Sequence, residues 1–383
     1  MSGSTVDRLA DRVPRGLLGM LALVLIVETA LAGARVDLTS PLAESWRFAA
    51  EAARTKAVGA DVLCLGDSLV KYGVLPRVIE AKTGRKAYGL ACSGGTTRSA
   101  FFLLRQALGA GARPRAVVVD FDALMSGGES PNLDRNYAEL ATARDCLDLA
   151  WFDLRDRQFS GNVLASVVLP SWRFRFMVRV KVLAALAGRG LTERASVESH
   201  QKIWAREFGA QPTEPGRLRH PQEATLIHWL SPEHWESSPA LEAYVDRFLD
   251  LAGSHGVAVY WLLPPLAPEV HSLRAARGSD EAYGRFVRSV AARHSNVVVL
   301  DARGSGYGDS VHADHLHLDR RGAAVLSADV ASILLDPPAP RGIGAVAWVA
   351  LPAYSGRMVD DAPPPALARS RPEADRRDPG VLR

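Results

Sequence analysis

Short apolar runs alternate with amphipathic stretches along the first third of the chain and again along its last third. A run of four to eight apolar residues predicts a buried strand, and apolar positions three and four apart predict a helix. We expect strands at residues 61–65, 85–92, 116–121, 257–263 and 296–300. We expect helices at residues 39–56, 69–84, 98–109, 241–252, 280–294 and 320–335, and a loop near the site at 266–279. This alternation predicts an α/β fold with a five-stranded parallel sheet and right-handed crossovers.

The stretch from residue 124 to about residue 239 has a different pattern. It is too long for one crossover and is mainly helical, most clearly at 133–154 and 163–186. We interpret it as an insertion over the carboxyl edge of the sheet, acting as a lid or shaping the substrate site. Within it, residues 171–181 mix aromatic side chains with cations. We expect an ordinary helix with a solvated cationic face, and contact with an anionic glycan or with lipid headgroups is the alternative.

Two histidine–tryptophan pairs lie in the same insertion, at residues 228–229 and 234–235. Their spacing is not one that zinc sites use, and no cysteine is near them. We expect packing, or a sugar-stacking surface, and no metal site.

The N-terminus combines positive charge with a long apolar run. Arg8, Arg12 and Arg15 precede residues 16–34, where Glu28 is the one charged residue. Nineteen helical residues rise about 28 Å, enough to cross the hydrocarbon core of a bilayer. Because arginines favour the cytoplasmic side, we expect residues 1–15 to be cytoplasmic and 16–34 to be an uncleaved anchor. The alternative is a signal peptide with a cleavage site at residues 30–32, and both interpretations export the body of the protein.

The rest of the chain divides by composition. We expect residues 35–58 to be a helical linker and residues 59–335 to be the main domain. Residues 336–383 are rich in proline and mixed charges, which predicts a disordered tail, with an apolar, weakly docked segment at 342–354.

Charge and cysteine content exclude some classes of protein. The net charge is +4 and the arginines are spread along the chain, which argues against nucleic-acid binding. Three cysteines form no disulfide framework, and we expect small buried side chains at Cys64, Cys92 and Cys146. The oligomeric state does not follow from the sequence.

The candidate chemistry begins where the first expected strand meets a helix, in the stretch Leu63-Cys64-Leu65-Gly66-Asp67-Ser68-Leu69. A serine at this turn has its hydroxyl at the carboxyl edge of the sheet and its N–H at a helix N-terminus, where negative charge is stabilised. Both properties suit a nucleophile in acyl transfer. A helix-capping turn is the alternative.

A carboxylate and an imidazole stand before the last expected helix. Asp314 and His317 are three residues apart, a spacing at which the carboxylate orients the ring and fixes its tautomer. The residues therefore predict a Ser68–His317–Asp314 triad. His315 is the alternative base, and capping of the last helix is the alternative role for Asp314.

These motifs resemble those of the SGNH/GDSL hydrolase superfamily. Its block I, Gly-Asp-Ser-Leu, matches residues 66–69, its block II glycine matches Gly94, and its block V, Asp-x-x-His, matches Asp314 and His317. The resemblance covers about residues 61–121 and 257–335. It implies a three-layer α/β/α, flavodoxin-like SGNH fold, with Ser68 as nucleophile. It also implies an oxyanion hole formed by the N–H groups of Ser68 and Gly94.

The chain departs from the superfamily at block III. Where Gly-x-Asn-Asp is expected after the third strand, Asp122-Ala123-Leu124 follows, so no asparagine stands there, and the third oxyanion donor is either missing or supplied from elsewhere in the chain. One lost donor costs about 10²–10³ in rate, which implies weak or atypical hydrolysis.

The resemblance implies an exported serine esterase that works through an acyl-enzyme with no metal or organic cofactor. An O-acyltransferase that moves an acetyl group to or from an extracytoplasmic polysaccharide is the first alternative, because the anchor and the insertion resemble those of SGNH-like proteins of alginate and cell-wall acetylation. A non-catalytic glycan-binding or assembly protein is the second. The expected partners are an acyl ester or acylated glycan and the membrane.

Overall fold

One parallel sheet organises the protein. The computed structural model describes residues 15–121, 134–152, 157–188, 194–216, 234–338 and 345–360. Six strands pair in parallel in the order β2-β1-β3-β4-β5-β6. Their bounds are β1 Val62–Leu65, β2 Ala87–Gly89, β3 Ala116–Val119, β4 Ala258–Leu263, β5 Val297–Asp301 and β6 Ala347–Ala350. The prediction of a parallel α/β fold is confirmed, with one strand more than the five expected.

Helices make up most of the remaining described chain. The helices before β3 are α1 Arg15–Gly33, α2 Arg35–Leu38, α3 Pro41–Arg54, α4 Ser68–Gly73, α5 Pro76–Thr83 and α6 Thr97–Gly109. Those between β3 and β4 are α7 Tyr137–Leu140, α8 Ala143–Phe152, α9 Arg157–Val168, α10 Pro170–Leu186, α11 Arg194–Arg206 and α12 Pro239–Ser254. Those after β4 are α13 Pro268–Ala276, α14 Ser279–Ala291 and α15 Arg320–Leu335.

The sheet has an apolar core on each face. Leu63 and Leu65 of β1 pack in a cluster that includes Trp46 of α3 and side chains of α6, α12 and α14. Val62 and Cys64 point the other way and pack with α4, α5 and α15. This alternation is the period of two expected of a strand buried on both faces, so helices cover the sheet on both sides.

The sixth strand corrects the sequence-based prediction. β6 lies within residues 342–354, expected to be a weakly docked apolar segment of an otherwise disordered tail, and it pairs with β5 from Val298↔Ala347 to Asp301↔Ala350. The segment after it is also held, because Ser305 Oγ donates to Leu351 O at 3.1 Å and Tyr354 N–H donates to Ser305 O at 2.7 Å. Residues 361–383 lie outside the described residues.

Prolines explain the other differences. The helix expected over residues 69–84 is two helices, because Pro76 lacks an N–H and disfavours helical backbone in the residue before it. The helix expected over 163–186 breaks at Pro170 for the same reason. The loop expected at 266–279 contains α13, whose first residue is Pro268, a position that proline favours.

The N-terminal apolar run is one helix. α1 has 19 residues, a mean hydropathy of 2.1 and no residue buried by the rest of the protein, so it is long and apolar enough to cross a membrane. The described part of the insertion is mainly helical, as expected. Residues 122–133 and 217–233, which include the first histidine–tryptophan pair, lie outside the description, as do residues 1–14.

Candidate active site

Ser68 is the first residue of α4 and follows the turn that ends β1. Gly66 permits this turn, since its φ is +127° and a Cβ there would lie 2.0 Å from Asp120 Oδ1. Asp67 caps α4 by accepting the Leu69 N–H at 2.6 Å. β1 lies between β2 and β3, where the strand order reverses, and open α/β sheets bind ligands at such a point.

The structure brings Ser68, His317 and Asp314 together from opposite ends of the chain. The Ser68 hydroxyl lies 2.8 Å from His317 Nε2. His317 Nδ1 lies 2.7 Å from Asp314 Oδ2 and 3.0 Å from Oδ1. Nδ1–H therefore donates to the carboxylate, which leaves Nε2 to accept from the serine. This is the tautomer that a general base needs.

Asp314 is held by its backbone as well as by the ring. Its Oδ1 accepts the N–H groups of Leu316 and His317, each at 2.8 Å. Burial alone would raise the pKa of Asp314, but the hydrogen bond and charge of His317 and these two N–H groups lower it to about 2. The carboxylate is therefore ionised at any pH above that value.

The loop that carries Gly94 lies against the serine turn. Cys92 N–H donates to Gly66 O at 3.1 Å, and a Cβ on Gly95 would lie 2.7 Å from the same oxygen. Gly94 has a φ of +63°, which suits glycine. Across the described ranges, neither Ser68 N–H nor Gly94 N–H donates to another protein group, so both are available to a ligand.

Tyr72 and Trp46 support this loop and the histidine. The Tyr72 ring lies 4.7 Å from the His317 ring, centroid to centroid. Trp46 Nε1 of α3 donates to Ser93 O at 2.9 Å. α3 is therefore a buried part of the site's support rather than only a linker to the anchor.

Two buried carboxyl groups lie behind the nucleophile. Asp67 N–H donates to Asp120 Oδ1 at 3.1 Å. Burial raises the pKa of Asp67, while Leu69 N–H, Asp120 and the charge of His317 oppose that rise. The sequence does contain a feature that could have identified Asp120. It is an acidic residue directly after a wholly apolar strand, and that strand lies beside β1.

Lys71 was also missed by sequence reasoning. It is 2% exposed, and its Nζ donates to Ala91 O at 3.2 Å and Gly209 O at 3.3 Å. Burial lowers its pKa to about 8, against an opposing effect of Cys92. A lysine one helical turn after Ser68 would be expected at the surface. Its burial is explained by the insertion, which places Gly209 against it.

The end of the insertion is joined to the histidine loop. Arg320 N–H, just after the loop, donates to Thr213 O at 2.7 Å, and the Arg320 guanidinium pairs with Glu207 at 2.9 Å. Arg77 of α5 pairs with the same carboxylate at 3.2 Å. Residues 207–213 therefore connect the insertion to the segments that hold Ser68 and His317.

The remaining candidates lie apart from this hydrogen-bonded set. His315 is buried with Nδ1 3.8 Å from Glu269, so His317 and not His315 is the histidine bonded to Ser68. Cys64 and Cys92 are buried, and burial raises the pKa of each thiol to about 12, while Cys146 is half-buried. The block III segment, residues 122–124, lies outside the description. Within the residues described, no group of three or more His, Cys, Asp or Glu is arranged to hold a metal ion.

This arrangement can activate a serine hydroxyl for attack on a carbonyl. It combines an imidazole in the accepting tautomer, an ionised carboxylate that orients it, and two N–H groups that are free to bind an oxyanion. No family model and no curated protein matches the chain. The function is therefore inferred from the site itself.

Proposed function

We propose that the protein is an exported, membrane-anchored serine esterase of the SGNH/GDSL type. The observation that carries this proposal is the chain of hydrogen bonds from Ser68 Oγ to His317 Nε2 and from His317 Nδ1 to Asp314. Its lengths of 2.8 and 2.7 Å are within the range that proton transfer requires.

The reaction has two halves. His317 removes the Ser68 proton while Oγ attacks the ester carbonyl, and a tetrahedral intermediate forms. The intermediate collapses when His317 gives that proton to the departing alcohol, which leaves an acyl-serine. Water then attacks the acyl group while His317 accepts its proton, and the second tetrahedral intermediate collapses as His317 returns that proton to Ser68 Oγ and the carboxylic acid leaves.

The oxyanion is stabilised by the N–H groups of Ser68 and Gly94. Both are without an acceptor among the protein groups that the structure describes, which supports this role. Asp314 stabilises the imidazolium that forms during each half-reaction, and its low pKa keeps it charged for that task.

The fold supports the resemblance to the superfamily. The order β2-β1-β3-β4-β5 is the order of flavodoxin-like doubly wound sheets, and Ser68 follows β1 at their ligand-binding point. β6 extends this sheet at the β5 edge. The proposed export rests on α1 and on the arginines before it.

Hydrolysis of p-nitrophenyl acetate by the full chain in detergent tests the proposal. Ser68→Ala and His317→Ala should each lower kcat/KM by about 10³-fold or more. Ser310→Ala, a change at an exposed serine in the loop before Asp314, should leave it unchanged. Hydrolysis that persists in Ser68→Ala would contradict the proposal. Faster loss of the acyl donor on adding an oligosaccharide, with acyl groups appearing on the sugar, would assign the same acyl-serine to transfer.

A further inference from the structure

α10 presents an apolar face to the outside of the protein. Six of its large apolar side chains are 37–80% exposed: Trp172, Phe176, Val180, Val182, Leu183 and Leu186. At about 100° per residue, they fall within an arc of about 160° on the side opposite the buried Phe174 and Lys181. The outer face of a helix in a water-soluble protein is normally polar, so this face is unusual. The expected cationic surface is reduced to Arg175 and Arg179 within the arc.

The first turn of α10 docks on the apolar N-terminal helix. Ser171 donates its backbone N–H to Glu28 at 2.8 Å and its hydroxyl to the same carboxylate. A carboxylate at a helix N-terminus is stabilised by the exposed N–H groups there. Glu28 and Leu31, three residues apart on one side of α1, are the two residues of that helix that are half-buried rather than exposed.

This contact has a defined depth along α1. Five residues separate Glu28 from Gly33, the last residue of α1, which at about 1.5 Å per residue is about 8 Å. Helices that lie in the plane of a membrane bury their apolar face about 5–10 Å into the boundary between headgroups and acyl chains. The first turn of α10 is therefore at the depth of that boundary when α1 crosses the bilayer.

The other side of α10 is fixed to the protein body. Arg173 Nε donates to Ser166 O at 2.9 Å, and its guanidinium lies 3.5 Å from Glu139. Glu139 also lies 3.4 Å from Arg35, just after the anchor. These contacts orient α10, so that its apolar arc faces away from the body.

We propose that α10 is a second membrane-contacting element, which lies in the outer headgroup boundary of the bilayer that α1 crosses. Its apolar arc faces the acyl chains, and the long side chains of Arg175 and Arg179, which lie within the arc, extend back to anionic headgroups at the surface. The inference rests on the proposed anchor but not on the esterase activity. This arrangement gives a role to Glu28, the isolated carboxylate in the apolar run, because Glu28 holds the first turn of α10.

Fluorescence quenching of the full chain in vesicles tests this arrangement. In a Cys146→Ser background, single cysteines at Val182, Leu183 and Leu186 carry an environment-sensitive dye, while Cys64 and Cys92 stay buried. Leu23→Cys reports on the anchor. Leu335→Cys is the matched control, since it is 48% exposed and ends α15, which packs on the opposite face of the sheet from α3.

Lipids spin-labelled on the upper part of the acyl chain should lower the dye signal on α10 by about twofold and leave the Leu335→Cys signal unchanged. Quenching at residue 23 by lipids spin-labelled near the end of the acyl chain, with none on α10 by the upper-chain label, would overturn the inference while the anchor stands. Absence of quenching at both places would overturn the anchor as well. A blue-shifted but unquenched dye on α10 would show that a second copy or the protein body covers the arc, and would also overturn it.

The two arginines give a second test. In vesicles that contain phosphatidylglycerol, Arg175→Glu with Arg179→Glu should reduce quenching at Leu186→Cys. Arg115→Glu with Arg285→Glu, two changes at exposed arginines of the body, should not. Equal quenching in the three proteins would exclude the headgroup contact.

Discussion

Lys71, one helical turn after Ser68, shows how far single residues could be predicted. Ser68, Asp314 and His317 were named from their spacing and their positions beside expected elements, because such chemistry requires particular residue types in a particular order. Lys71 and Asp120 were not, because their burial depends on segments distant in sequence. The Lys71 ammonium lies 4.8 Å from the Trp204 ring, and that ring belongs to the insertion.

The lowered pKa of Lys71 predicts a pH-dependent stability. Between about pH 8 and pH 10.5 the unfolded chain binds a proton that the folded chain lacks, so the free energy of unfolding should rise with pH. The rise should be about 3 kcal/mol across that range. Chemical denaturation of the detergent-solubilised protein measures it.

Other groups also titrate in this range, so variants isolate the contribution of Lys71. Lys71→Met should remove the rise, while Lys82→Met, at an exposed lysine of α5, should retain it. If the free energy of unfolding rose equally with pH in wild type and in Lys71→Met, the pKa of Lys71 would not be lowered by folding.

At the scale of elements, apolar runs predicted strands β1 to β5 and most helices within a few residues. Long-range contacts determine the features of the fold that the apolar pattern did not predict. β6 is only four residues long, and its backbone pairs with β5 after a segment rich in proline and glycine. The turn after β1 falls at Gly66, and the reason for glycine there is the Asp120 carboxylate that lies against it.

Gly66→Ala therefore tests how tightly β1, β3 and α4 are joined. The new Cβ would meet Asp120 Oδ1 at 2.0 Å, and the φ of +127° is strained for alanine, so we expect a loss of about 2 kcal/mol or more. Thermal unfolding measures this loss, and ester hydrolysis should fall with it because Ser68 is two residues away.

Gly304→Ala is the matched control, since a Cβ there meets nothing within 4 Å. Asp120→Ala in the Gly66→Ala background should recover part of the stability by removing the clash but not the strain. A Gly66→Ala protein with the same melting temperature as wild type would refute the packing described for this turn.

At the scale of the whole molecule, the apolar helix, α3 and the catalytic turn form a continuous structural path. α1 leads through α2 to α3, whose Trp46 bonds the loop that carries Gly94. The insertion returns through Glu207 and Thr213 to the segment after His317. The site is thus supported both by the element that follows the anchor and by the insertion, which sequence patterns alone treated as separate units.

The proposed orientation predicts opposite accessibility for the two sides of α1. In a Cys146→Ser background, Glu281→Cys on an exposed position of the body should react with a membrane-impermeant maleimide on intact cells. Ser4→Cys should react only after the membrane is permeabilised. The reverse pattern would contradict export of the body.

The most direct test of the central claim is intact-mass spectrometry of the full chain after treatment with a fluorophosphonate, beside Ser68→Ala and Ser310→Ala. We predict one adduct in wild type and in Ser310→Ala, mapped to Ser68 by peptide analysis, and none in Ser68→Ala. Folded protein that forms no adduct, or forms it equally in Ser68→Ala, would contradict an activated serine at this site.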